Sequence, residues 1–248
     1  MKIRIKFRKY GNLKFIGHLD VQRYFQKCVR RAGIDVAYTK GFSPHQIMSF
    51  ASPLGIGLES GGEYMDMEVN SFSGCADTVK RLNEAGVEGI EVLSAKVLPE
   101  GAGNAMASVA AAGYTIRFRE GREPGFNWKE KLESFFAQKS IMITKETKKS
   151  TIEMDIRPGI FEWRLDGEAL YLLVDASSSG NIKPGMVVEA FLQANGDSLQ
   201  ENALLIYREE TYMDAPEGLC EEALSSAIVV MNGEKKLVPL DAIGVYIS

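Results

Sequence analysis

His18 and Asp20 stand two residues apart, Arg23, Lys27, Arg30 and Arg31 follow them, and a short loop downstream reads Lys40-Gly41-Phe42-Ser43-Pro44-His45. Imidazole is the side chain whose ordinary titration falls nearest neutrality. His18 and His45, the chain's 2 histidines, are therefore the candidates for acid, base or ligand work. Guanidinium and ammonium groups bind phosphate oxygens. An exposed phenyl ring such as Phe42 offers a stacking face to an unpaired base, and Gly41 and Pro44 would fix the backbone that presents it. Each residue also has a plainer reading. Asp20 in a first helical turn is favoured by the helix dipole alone. His18 at a helix entrance can cap or pack, and Phe42 can plug a core.

The charge is distributed unevenly. Residues 1–49 carry 11 Lys/Arg against 2 Asp/Glu, while the rest of the chain carries 18 against 31, in a protein of net charge −4. An anionic partner such as RNA is the expectation for the amino-terminal end. Arg23, Lys27, Arg30 and Arg31 fall at helical spacings that set them side by side, with no acid on the same helix within a turn of Arg30 or Arg31. Lys2, Arg4, Lys6 and Arg8 alternate along a strand-like run and are expected on its outward side, extending the helix cations into one positive surface. The competing expectation is a solvated face packed against acids of the second half.

The elements that would position these groups read as follows. Ile3–Arg8 and Tyr114–Arg119 alternate apolar with basic or polar residues, as half-buried strands do. Val21, Tyr24, Phe25, Cys28, Val29 and Ala32 form one apolar stripe, giving a helix over 18–32 that Gly33 should stop. Strands are expected near 34–39, 47–52, 63–69 and 90–98, with a helix at 73–85. In the second half, Trp128, Leu132, Phe135 and Phe136 mark a helix, followed by strands near 141–146, 151–157, 160–165 and 169–175. Asp166-Gly167 is a hairpin turn, Pro184 opens a helix that Asn195-Gly196 closes, and 203–208 is a last strand. Trp128 and Trp163 are expected in the core. The expected fold is α+β, with two tandem ferredoxin-like (split βαβ) units of antiparallel sheet, 1–103 and 104–214. Residues 215–248 would be a small C-terminal β extension, with a hairpin signal at Asn232-Gly233.

Several classes fall away. The 3 cysteines, Cys28, Cys75 and Cys220, are too widely spaced for a disulfide framework, a structural zinc site or a resident iron–sulfur cluster. Cys28 lies on the helix stripe as a buried thiol. Gly55–Gly62 lacks the Gly-Lys-Ser/Thr ending of a phosphate-binding loop and reads as a turn or lid. No run is long and apolar enough to span a bilayer, and the start lacks a signal peptide's apolar stretch, so no membrane partner is expected and the cytoplasm is the expected address.

The residues Phe15, Gly17-His18-Leu19-Asp20, Arg23, Arg30-Arg31-Ala32-Gly33, Ala37-Tyr38, Gly41-Phe42, Pro44-His45, Phe50, Pro53-Leu54, Gly57, Glu59-Ser60, Glu63-Tyr64 and Asp66 form a dense pattern over about residues 1–70. It resembles that of the bacterial radical SAM-linked proteins of unknown function, with Arg157-Pro158-Gly159 as a further likeness. The resemblance implies a stand-alone partner of a radical SAM protein that often carries a cobalamin-binding region, encoded beside it or fused to it. It also implies gene neighbours encoding a ribonuclease and ribosomal proteins. His18, Asp20, Gly41, Pro44, Glu59, Ser60 and Glu63 are its motif residues here. Paired ferredoxin-like units are also similar to RNA-processing proteins of the CRISPR repeat-cleaving type and to RNA pseudouridine synthases. That is an analogy of architecture, which does not fix function.

Three functions follow as expectations. The first is a non-catalytic RNA-binding accessory to the radical SAM protein, with no cofactor or metal of its own. Arg23, Lys27, Arg30, Arg31 and Lys40 would hold phosphates of rRNA or tRNA, Phe42 would stack, and His18 and His45 would contact the backbone or a base. The second is a protein–protein adaptor for the same partner. The third is a metal-independent RNA-processing enzyme with His18 and His45 as acid and base, of which a two-histidine metal site supported by Asp20 or Glu59 is a weaker variant.

Overall fold

β1 (Lys2–Lys9) turns Ile3, Ile5 and Phe7 to one side, and all three are buried in the computed structural model, which describes residues 1–146, 151–230 and 233–248. After a 3₁₀ turn at Gly11–Phe15, α1 (His18–Arg31) packs Val21, Phe25, Cys28 and Val29 into the same core. Phe25 meets Phe7 edge-on at 4.7 Å and Phe50 at 5.8 Å between ring centroids, contacts of the kind worth about 0.5–1.5 kcal/mol each beyond area burial. Gly33 ends the helix at φ +62°, a left-handed conformation that costs a glycine little, and the Ile34 amide closes back on the Val29 carbonyl.

The chain continues through β2 (Met48–Phe50), β3 (Glu59–Glu68), α2 (Cys75–Glu84), β4 (Ile90–Val97) and the short α3 (Ala105–Ser108). β1 pairs antiparallel with β3 and β4, and β2 pairs antiparallel with β3. The resulting order, β4-β1-β3-β2, is that of a split βαβ unit.

A second stretch follows with β5 (Ala111–Phe118), α4 (Trp128–Phe136), β6 (Met142–Glu146), β7 (Thr151–Asp155), β8 (Ile160–Asp166), β9 (Ala169–Asp175) and α5 (Pro184–Ala194). β9 lies between β5 and β8, all antiparallel, and β6–β7 form a separate two-stranded sheet. Their core gathers Trp128, Leu132, Phe136, Leu172, Val187 and Phe191, with Trp163 stacked on Phe136 at 4.7 Å. Gly167 (φ +59°) makes the β8–β9 turn, as its Asp-Gly signal predicts.

β10 (Leu204–Asp214) then leads to α6 (Glu221–Ser225), β11 (Ile228–Val230) and β12 (Lys235–Pro239). β12 pairs with β11 and with the end of β10. The chain divides into two compact units, residues 1–110 with 208–248 and residues 111–207, so the segment read as an appended extension belongs to the first unit. Its last residues bridge Val245 to Val97 and accept the Cys75 amide at the Ile247 carbonyl.

Two local expectations change, and a third falls partly outside the described residues. The strand expected at 34–39 is reduced to isolated bridges at Val36 and Tyr38. The glycine-rich run expected as a turn or lid is a turn only up to Leu58, because Glu59–Gly62 open β3 and Ser60 and Gly62 are buried. The hairpin signal includes Asn232, which lies outside the described residues; β11 and β12 pair on either side of it.

Candidate functional site

The outward side of β1 is not a positive surface. Arg4 is 0% exposed, with its Nε on Asp66 Oδ1 at 2.7 Å, an Nη on Oδ2 at 3.0 Å and the other on the Leu240 carbonyl at 2.7 Å. Lys2 shares Asp66 at 3.5 Å, Lys6 pairs with Glu210, and Arg8 pairs with Glu91. The expected extension of the helix cations along this strand is therefore corrected. Carboxylates from β3, β4 and β10 neutralise it, because both faces of β1 are covered rather than one.

The motif acids Glu59 and Glu63 are paired as well, with cations outside β1. Glu59 holds Lys14 at 3.1 Å, and Glu63 holds the buried Arg208 at 2.9 Å. Asp66 also accepts the Ala105 amide at 2.8 Å. Ser60 Oγ accepts the Gly62 amide at 3.1 Å. Beside them, Tyr64 donates its hydroxyl to Glu210 at 2.8 Å. Burial pushes the Glu210 carboxyl up in pKa, against the pull of Lys6.

The outer face of α1 does carry exposed cations. Arg23, Lys27, Arg30 and Arg31 are all exposed. Arg23 meets Asp20 at 3.3 Å in solvent, an ion pair worth about 0.3–0.5 kcal/mol. Arg30 donates to the Gln26 carbonyl, and Arg31 donates twice to the Ala85 carbonyl, at 2.8 and 3.2 Å. Carbonyls are neutral, so these bonds aim the guanidinium groups without cancelling their charge. Cys28, on the opposite stripe, is buried as expected.

The loop from Lys40 to His45 is exposed throughout, and Phe42 is wholly in solvent rather than in the core. Gly41 adopts φ +121°, which favours glycine there. His45 is fixed by Thr39, whose hydroxyl lies 3.1 Å from Nδ1 and accepts the His45 amide at 3.1 Å.

His18, the first residue of α1, is half-buried and packs edge-on against Phe50 at 5.4 Å. It lines a small pocket walled by Phe7, Val21, Phe50 and Leu54, whose other polar members are Lys9, Ser52 and Glu63. His45 does not line this pocket, so the structure does not bring the two imidazoles together there. The sequence reading passed over Lys9, Ser52 and Arg208. Lys9 did leave a signal, since it continues the alternation of Ile3, Ile5 and Phe7 on their own side of β1. Burial pushes its ammonium below the usual lysine range; Glu63 opposes that shift and Arg208 adds to it.

Among the described residues, no three His, Cys, Asp or Glu side chains gather as a metal site, and no helix is long and apolar enough to cross a membrane. The class these features define is a mixed α+β protein of mainly antiparallel strands that presents a cationic helix face. The chain belongs to a bacterial family: residues 2–184 match the family described as an uncharacterized protein conserved in bacteria (DUF2344). No curated protein matches it. Among solved structures it is similar to a chain in a crystal structure of a Cbf5–Nop10–Gar1 complex, at a TM-score of 0.45 and 10% sequence identity. That similarity covers 84% of this chain and 48% of the other, so the chain spans about half the length of that relative.

Proposed function

We propose that the protein is a non-catalytic RNA-binding accessory that acts in the cytoplasm beside a radical SAM enzyme, presenting rRNA or tRNA for modification or processing. One observation carries this reading. Lys27, Arg30 and Arg31 stand exposed on one helix with no carboxylate among the described residues neutralising them, and Arg23 is held only by a solvated ion pair. Side chains so placed exchange condensed counterions for phosphates. The exposed loop adds Lys40 as a further cation, Phe42 as a stacking surface and His45 as a ring already oriented by Thr39. The radical SAM partner rests on the sequence resemblance.

A titration of structured RNA with single-stranded loops, run at several salt concentrations, tests the reading. Four phosphate contacts predict a slope of log affinity against log salt of about −3. Lys27→Gln with Arg30→Gln should flatten that slope by about 1.4 and weaken binding at least about tenfold. Phe42→Ala should cost about 1–3 kcal/mol per stacked base at unchanged slope. Affinity indifferent to salt removes the proposal.

The adaptor reading has one feature in its favour: Phe15, Leu19 and Ile56 leave large apolar side chains exposed. Capture of the radical SAM partner from extract, undiminished by nuclease, selects docking over RNA binding.

A further inference from the structure

We propose that the pocket beside His18 binds a phosphoryl group, seating one of its oxygens on the Lys9 ammonium with His18 at the mouth. The inference does not depend on the outer face of α1. Lys9 is 2% exposed, and among the described residues its ammonium donates only to the carbonyls of Lys14 and Ile16, both at 3.4 Å. Those bonds are long for a charged donor, which ordinarily closes to about 2.7–2.9 Å on an anionic oxygen. The pocket's one carboxylate, Glu63, is already engaged by Arg208 at 2.9 Å. Among the described residues Lys9 is thus left with no carboxylate of its own. Its ammonium borders a pocket walled in part by Phe7 and Phe50, where a charge is poorly solvated. An entering anion relieves that imbalance.

The size of the void decides the form of the ligand. It measures about 10 Å³, room for one water-sized atom and not for a whole phosphate. One oxygen enters, and the rest of the group stays at the mouth, where His18 and Ser52 offer donors. His18 also begins a helix of 14 residues, whose dipole places partial positive charge at its first turn. A phosphoryl oxygen could come from free phosphate or from a terminal phosphate of RNA. The second source rests on the function proposed above; the first does not.

Histidine NMR on the full chain tests the site, because His45 lies on an exposed loop outside the pocket and serves as an internal control. Inorganic phosphate is titrated at ionic strength held constant with chloride. The expected result is a saturable shift of the His18 ring signals while those of His45 stay still. Lys9→Met should weaken the response at least about tenfold and Ser52→Ala several-fold. Should Lys9→Met fail to fold, Ser52→Ala and a phosphate-specific rise in the wild-type melting temperature, absent with chloride, carry the test. A parallel, unsaturable drift of both histidines, or an unchanged affinity in Ser52→Ala, overturns the proposal. Oligonucleotides with and without a 5′-phosphate separate the two sources: a His18 shift with the phosphorylated strand alone identifies the RNA terminus. Lys27→Gln with Arg30→Gln should leave the phosphate response intact, so loss of RNA binding and loss of the pocket read out separately.

Discussion

Asp66→Ala should destabilise the first unit by about 3–5 kcal/mol, the cost of stranding a buried charge, out of a total of about 5–15 kcal/mol for an ordinary domain. The carboxylate takes both arms of the Arg4 guanidinium at 2.7 and 3.0 Å and the Ala105 amide at 2.8 Å, and Lys2 stands 3.5 Å away. Without it, Arg4 remains wholly buried with carbonyls as its partners and the Ala105 amide is unpaired. Replacing both partners, Arg4→Met with Asp66→Leu, should recover about half of the loss. The charge penalty then disappears, while the Leu240 carbonyl and the Ala105 amide stay unsatisfied, each at about 1–3 kcal/mol. Urea denaturation followed by circular dichroism measures both variants. An Asp66→Ala protein within about 1 kcal/mol of wild type would show that the pair is not a structural keystone.

The same pair shows where sequence reading stops. α1, Gly33, the Asp166-Gly167 turn and Pro184 at the start of α5 are legible because their causes lie within a few residues: stripe, left-handed glycine, hairpin dipeptide, proline without an amide. The second face of β1 is not. Apolar residues alternating with Lys2, Arg4, Lys6 and Arg8 give the pattern of a strand with one wet side. What covers that side comes from Asp66, Glu210 and the turn at Leu240, the last two more than 200 residues away. A single chain read locally carries no mark of such pairings. Glu63 and Arg208 are hidden for the same reason, 145 residues apart.

This correction narrows the functional site. The amino-terminal excess of positive charge is real as composition, yet much of it is spent inside the first unit on acids drawn from later sequence. Lys2, Arg4, Lys6, Arg8 and Lys14 each have a carboxylate partner, and Lys9 is enclosed. Among the described residues, the cations of this segment left facing solvent without such a partner are Lys27, Arg30 and Arg31 on α1, and Lys40. Net charge over a segment therefore overstates the surface field, and an RNA footprint should follow one helix and one loop rather than the whole amino-terminal strand.

Gly62→Ala should be strongly destabilising. A Cβ at Gly62 would lie 2.4 Å from Glu210 Cα, 2.9 Å from the Glu209 carbonyl oxygen and 2.8 Å from Glu210 Oε1. Two of these are backbone atoms of β10, and that strand cannot retreat cheaply. Thr211 Oγ1 donates to the Gly62 carbonyl at 2.7 Å, Glu210 accepts from Tyr64 at 2.8 Å and pairs with Lys6, and Arg208 reaches Glu63 from the same strand. Overpacking alone costs about 1–3 kcal/mol, and breaking one buried hydrogen bond adds about 1–3 more, so a loss of at least about 3 kcal/mol is expected. Gly55→Ala is the control: its Cβ would touch only Leu58, at an ordinary 3.6 Å, and should cost within about 0.5 kcal/mol. Equal urea midpoints for the two variants would refute the close approach of β3 to β10. A folded but weakened Gly62→Ala protein should also lose phosphate response at His18, because the displaced strand carries Arg208, the partner that engages Glu63 in the pocket.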